Sequence, residues 1–110
     1  MEVNFFELIR EWARARGIDK ADPDKQLRKL AEEFGEVANA MTKENTEGLL
    51  LEIGDMVVVL TNLAMIYGLD IEDCITAAYT KIEKRSGKMI DGVFVKVQDL
   101  PAGPIDLDEE

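Results

Sequence analysis

Two short acidic runs carry the residues best suited to chemistry: Glu32-Glu33-Phe34-Gly35-Glu36 and, after a gap of fifteen residues, Glu52-Ile53-Gly54-Asp55. Glu33 and Glu36 are three apart, as are Glu52 and Asp55, so in helices each pair falls on one face. Like charges at that spacing repel, modestly in water and strongly once desolvated. A cluster of this kind withdrawn from solvent needs a cation. Magnesium fits, because it takes oxygen ligands, keeps several waters, and is commonly held by a few carboxylates together with the phosphates of a substrate. Manganese is its natural substitute. One or two such ions would offset the charge of a triphosphate, orient it, and activate water for attack on phosphorus without a covalent nucleophile.

Composition prunes the other metals. The chain has no histidine and one cysteine, Cys74. A di-iron carboxylate bundle, which uses Glu-x-x-His, and a zinc site are therefore both excluded. No calcium-binding EF-hand loop and no Gly-x-x-x-x-Gly-Lys-Ser/Thr phosphate loop is present. The plainer reading is that these acids form a solvated helix face. Against it, Glu52 and Asp55 sit inside Leu49-Leu50-Leu51-Glu52-Ile53-Gly54-Asp55-Met56-Val57, where an acid is costly unless paired or metal-bound.

Two further groups are candidates for substrate binding. Lys81, Lys84, Arg85 and Lys88 recur at three-to-four spacing and can grip phosphate oxygens, although cations also favour a helix C-terminus without any ligand. Trp12, the only tryptophan, can stack on a nucleobase or serve as a core or interface aromatic.

The elements that must position these side chains read as four helices. Asn4 caps a first helix with Phe5, Leu8, Ile9, Trp12 and Ala13 on its apolar stripe, and Gly17 stops it. Asp22-Pro23 starts a second, to about Lys43, burying Leu27, Leu30, Ala31, Phe34, Val37, Ala38 and Met41, with Glu33 and Glu36 bordering that stripe. Thr46 caps a third, Glu47 to Tyr67. Its Met56-Val57-Val58-Val59-Leu60 run is apolar all round and predicts cover by another subunit, hence a homo-oligomer, most simply a dimer. Asp70 caps a fourth, Ile71 to Arg85. After Gly87 the period changes, and Asp91-Gly92 turns a short hairpin or extended segment. The expected fold is thus all-α, a four-helix bundle with that C-terminal appendage, in one domain over residues 1–100, followed by an acidic tail over 101–110.

Twenty-three acids against thirteen bases leave a net charge of -10, which disfavours nucleic acid polymers and anionic membranes as partners but not a phosphate ligand arriving with its metal. The lone cysteine and an N-terminus without signal-peptide character indicate a cytoplasmic protein. Met56 to Tyr67 is too short an apolar stretch to cross a bilayer.

Glu32-Glu33-x-x-Glu36 followed by Glu52-x-x-Asp55 resembles the signature of the MazG-like nucleoside triphosphate pyrophosphohydrolases. The likeness takes in Lys29-Leu30, Gly54-Asp55 and Lys84-Arg85-x-Gly87-Lys88-Met89, over roughly residues 25 to 95. The Asp91-Gly92-Val93-Phe94-Val95 ending is similar to the small single-domain members of bacteriophages and bacteria. The resemblance implies magnesium-dependent cleavage of a (deoxy)nucleoside triphosphate between the α and β phosphates, giving monophosphate and pyrophosphate. It also implies metal ligation by Glu33, Glu36, Glu52 and Asp55, and a role for Glu32 in orienting the attacking water or as an auxiliary ligand. Lys81 and Arg85 would contact phosphate, and the active site would lie close to the interface of a homodimer or homotetramer. Relatives place an asparagine near position 80, where this chain has Thr80. A narrower dUTP, dCTP or phosphoribosyl-ATP pyrophosphohydrolase, or a non-catalytic metal-binding helical oligomer, are the alternatives.

Overall fold

The structure is a computed structural model that describes residues 2–100; the acidic tail expected over 101–110 lies outside them. Four helices are present: α1 (Phe5–Ala15), α2 (Pro23–Thr42), α3 (Thr46–Ile66) and α4 (Ile71–Ile82). Strands β1 (Gly87–Ile90) and β2 (Val93–Lys96) form an antiparallel hairpin in which Met89 pairs with Phe94 and Ile90 with Val93. The all-α reading with a short hairpin holds. The chain resolves into two compact units, one up to Cys74 and one from Ile75 onward.

Helix ends follow local chemistry. The Asn4 carboxamide accepts from the Glu7 amide at 3.1 Å, and Asp22 accepts from the Asp24 amide at 2.9 Å with Pro23 in the first turn. Gly17, at φ 76°, takes the left-handed conformation that ends α1. Two boundaries differ from expectation. Asn45, not Thr46, caps α3, accepting from the Gly48 amide at 3.0 Å. The fourth helix stops at Ile82, because the chain leaves the helix for the β1 ladder that begins at Gly87, and the Arg85 amide already bonds the Ile82 carbonyl in a tightened last turn.

In the first unit, α2 packs against α3, and α1 packs on α3. The buried stripe of α2 is rotated by one residue from the expected one. Gln26, Leu30, Glu33, Val37 and Ala40 are its less exposed positions, whereas Leu27, Phe34 and Met41 are more than half exposed. Both sets repeat at four-three spacing, so α2 has a wide apolar arc and periodicity alone does not choose which edge meets α3. In α3 the corresponding positions are Leu49, Glu52, Met56, Val59, Leu63 and Ile66. Val59 is 2% exposed, and burying such a side chain contributes about 2 kcal/mol. The run Met56 to Leu60 is not enclosed by the chain itself: Val57 and Leu60 remain over a third exposed, and Leu50, Leu51 and Ile53 more so.

Taken whole, α3 is 21 residues long and apolar enough to cross a membrane by length and composition, whereas the sequence reading considered only its latter part. It nevertheless carries Glu52 and Asp55 near its middle, which are costly in lipid, and meets α2 along the same face.

In α1 the inward residues are Phe6, Ile9, Arg10 and Ala13, not the expected stripe with Phe5, Leu8 and Trp12. Arg10 is 6% exposed and is held on three sides. It donates to both Glu72 carboxylate oxygens at 2.6 and 2.7 Å and to Glu7 at 2.9 Å. A fully fork-bonded guanidinium of this kind ties α1 to the start of α4.

Candidate metal centre

The rotation of α2 decides the site. Glu33 occupies a position that leucine fills in an ordinary helix pair, and its side chain is only 13% exposed. Glu52 stands at the matching position of α3, and Asp55 lies one turn on. One carboxylate oxygen from each of the three lies within 4.8 Å of the others. Two helices thus converge on one locus.

Electrostatics mark this locus as unsatisfied. Burial pushes the Glu52 carboxyl above its ordinary value, as does its hydrogen bond to Glu33, and the charges of Asp55, Glu33 and Glu36 add to the effect. The Glu33 Oε2 atom is buried without a hydrogen-bond partner. Lys29 is weakly placed to compensate: its Nζ stands 3.9 Å from Glu33 Oε1, with its side chain half in solvent. A charged oxygen buried without a donor is costly, and a divalent ion bonded to it relieves that cost. The donor set is all carboxylate, as a hard cation requires, and so the residues fit the implied metal.

Among the sequence candidates, Glu33, Glu52 and Asp55 come together. Glu36 is exposed and stands outside the 4.8 Å group, although its charge reaches Glu52. Glu32 is exposed on α2. Trp12 borders the site through a groove that it shares with Asp55. Lys81 lies in the last turn of α4. Lys84 and Arg85 lie beyond it and Lys88 on β1, so the expected helical face of four cations is not formed. All four belong to the second unit.

Arg10 went unforeseen. Its partner Glu72 is 62 residues away, and no local pattern announces such a pair.

A family model described as MazG nucleotide pyrophosphohydrolase domain matches residues 21–90, which span α2, α3, α4 and β1. A protein of Haemophilus phage HP1 (strain HP1c1), described as an uncharacterized 18.2 kDa protein in the rep-hol intergenic region, is 39% identical over 57 residues. That stretch covers 51% of this chain and 35% of the phage protein. No solved structure matches the chain.

Proposed function

The chain belongs to the MazG nucleotide pyrophosphohydrolase domain family, and from that premise we propose that it hydrolyses a (deoxy)nucleoside triphosphate between the α and β phosphates, with magnesium, releasing the monophosphate and pyrophosphate. One observation carries this reading: three carboxylates from two helices meet within 4.8 Å around a buried Glu33 oxygen that has no donor. Glu33, Glu52 and Asp55 would hold the ion, with Glu36 completing the negative field. When bound there, a divalent ion supplies charge neutralisation for the polyphosphate and Lewis acidity at phosphorus. Manganese can take the same oxygens.

The protein's own part is placement. Glu33 and Glu52 are held by helix packing, so the distance between ligand oxygens is set before substrate arrives, and little reorganisation is left for the reaction. Glu32 accepts a hydrogen bond from the attacking water and orients it. Lys81, in the last turn of α4, and Lys84 and Arg85 just beyond it have the charge to contact phosphate oxygens. A second copy covers the apolar positions that the chain leaves open on α2 and α3, giving a homodimer or homotetramer. The protein works in the cytoplasm, without a membrane or a nucleic acid polymer as partner.

The test is pyrophosphate release from a panel of ordinary and modified triphosphates, with and without magnesium. Glu33→Gln and Asp55→Asn are expected to lose more than roughly 100-fold, beyond the loss typical of groups that merely orient a ligand. Their helical circular dichroism should be unchanged. Cleavage that survives either substitution, or that ignores divalent cations, would overturn the assignment.

A further inference from the structure

Helix α2 turns the less apolar of its two stripes toward α3. Leu27, Phe34 and Met41 stay 57%, 66% and 62% exposed, while Gln26 and Glu33 stand among the less exposed positions. A turn by one residue, roughly 100°, would exchange the stripes and bury more hydrocarbon between the two helices. It would also carry Glu33 away from Glu52 and Asp55. Something other than apolar burial between these helices holds the observed face inward.

Polar residues of the same seam supply it. Joined by residues 43–45 alone, α2 and α3 pack antiparallel. Gln26 is seven residues before Glu33, and Val59 and Asn62 are seven after Glu52 and Asp55. Seven residues are about 10 Å of helix and almost two full turns, so Gln26 stands to Val59 and Asn62 as Glu33 stands to Glu52 and Asp55. Val59 is 2% and Asn62 4% exposed, which closes this layer to solvent. Gln26 Oε1 and Asn62 Oδ1 are both buried without a hydrogen-bond partner. A carboxamide carries an acceptor oxygen and a donor amino group, which a half-turn of its terminal bond exchanges, so each residue can supply the donor that the other lacks. With the stripes exchanged, Leu27 would replace Gln26 and leave the Asn62 oxygen buried with no donor in reach, which is costly.

We infer that Gln26 and Asn62 are positioning residues: their facing carboxamides choose the side of α2 that meets α3, and so hold Glu33 against Glu52 and Asp55. A single buried polar layer sets register in paired helices in the same way, at a cost in stability. The consequence for magnesium rests on the metal reading of the acid site, whereas the choice of face does not.

The experiment compares the intact protein with Gln26→Leu/Asn62→Leu and with the exchanged pair Gln26→Asn/Asn62→Gln. Three quantities are read: the thermal melt in EDTA, the magnesium midpoint by calorimetry, and nuclear Overhauser contacts between the Glu33 and Glu52 side chains in EDTA. The leucine pair is expected to melt no lower than the parent, because two apolar groups of similar size replace two polar ones. It is nevertheless expected to lose the contacts between Glu33 and Glu52 and to bind magnesium about tenfold or more weakly, as when a group that orients a metal ligand is removed. The exchanged pair keeps the contacts and binds magnesium like the parent.

Contacts and magnesium affinity retained by the leucine pair overturn the inference. So does a leucine pair that fails to fold or melts below the parent, which makes the two amides ordinary core contacts, and so does loss of the contacts in the exchanged pair. Contacts present in the parent and lost in the leucine pair, in a protein that binds no magnesium, would overturn the metal reading and leave this one standing.

Discussion

Glu33 is a carboxylate where helix packing asks for leucine, and the proposed divalent ion would offset the cost of keeping it there. The same tension appears at Glu52, whose carboxyl is pushed up by burial, by its hydrogen bond to Glu33 and by neighbouring charge. Because its folded value is raised, the metal-free chain loses stability as pH rises from the ordinary carboxylate range through the raised one. Glu52→Gln should therefore melt higher than the parent in EDTA near neutral pH, and should gain nothing from added magnesium, whereas the parent gains. Thermal melts with and without the metal check both expectations. Glu72 acts in the opposite sense. Hydrogen bonds from Arg10 hold its carboxyl at about 2, well below the ordinary 4.5. Its contribution is complete above about 4.5 and is lost as pH falls from there toward about 2. Arg10→Ala is expected to lower stability by about 1–3 kcal/mol at neutral pH, through lost hydrogen bonds and a vacated buried position. Denaturant titrations at a series of pH values should show the Arg10 variant with a flatter acid limb than the parent.

At the scale of elements, the α2–α3 hairpin turns its two acids inward and much of its apolar surface outward. Leu27, Phe34 and Met41 on α2, and Leu50, Ile53, Val57 and Leu60 on α3, each follow a repeat of seven or of alternating threes and fours. Such rows are the pattern of helices that pack against further helices. If a second copy covers them, Phe34→Asp or Ile53→Asp should shift the protein to monomer in sedimentation or light-scattering measurements, with the helical signal retained. A parent protein that is already monomeric at micromolar concentration would dismiss the proposed assembly. Local signals located these elements well: the Asp22-Pro23 start, the Gly17 stop and the Asp91-Gly92 turn, where φ is 50° and 80°, all lie where the residue types put them. What they did not locate was the inward edge of each helix, since two overlapping apolar stripes compete and only the neighbouring helix selects one.

For the whole molecule, the net charge of -10 sets the terms on which a polyphosphate approaches. Long-range repulsion slows a free triphosphate and is reduced when the nucleotide carries magnesium or when salt screens the field. Raising ionic strength from about 0.05 to about 0.2 M at constant free magnesium should therefore lower KM modestly, on the order of twofold, with kcat unchanged. A KM that rises steeply with salt would instead show that attraction by the basic segment around Lys81 to Lys88 governs encounter.

The amino-acid sequence by itself determined the helix count, the caps, the hairpin turn and the identity of the acids, because each is written in spacing or in residue type over a few neighbours. Composition also leaves no histidine for a Glu-x-x-His di-iron motif and no second cysteine for an intrachain disulfide. Only the tertiary structure decided that Glu33 and Glu52 face each other at packed positions while Phe34 turns outward, that Glu36 stands apart from the three-carboxylate group, and that Arg10 is clamped by a residue 62 positions away. The reason is physical: which stripe of a helix is buried depends on the surface that meets it, and that surface belongs to another part of the chain.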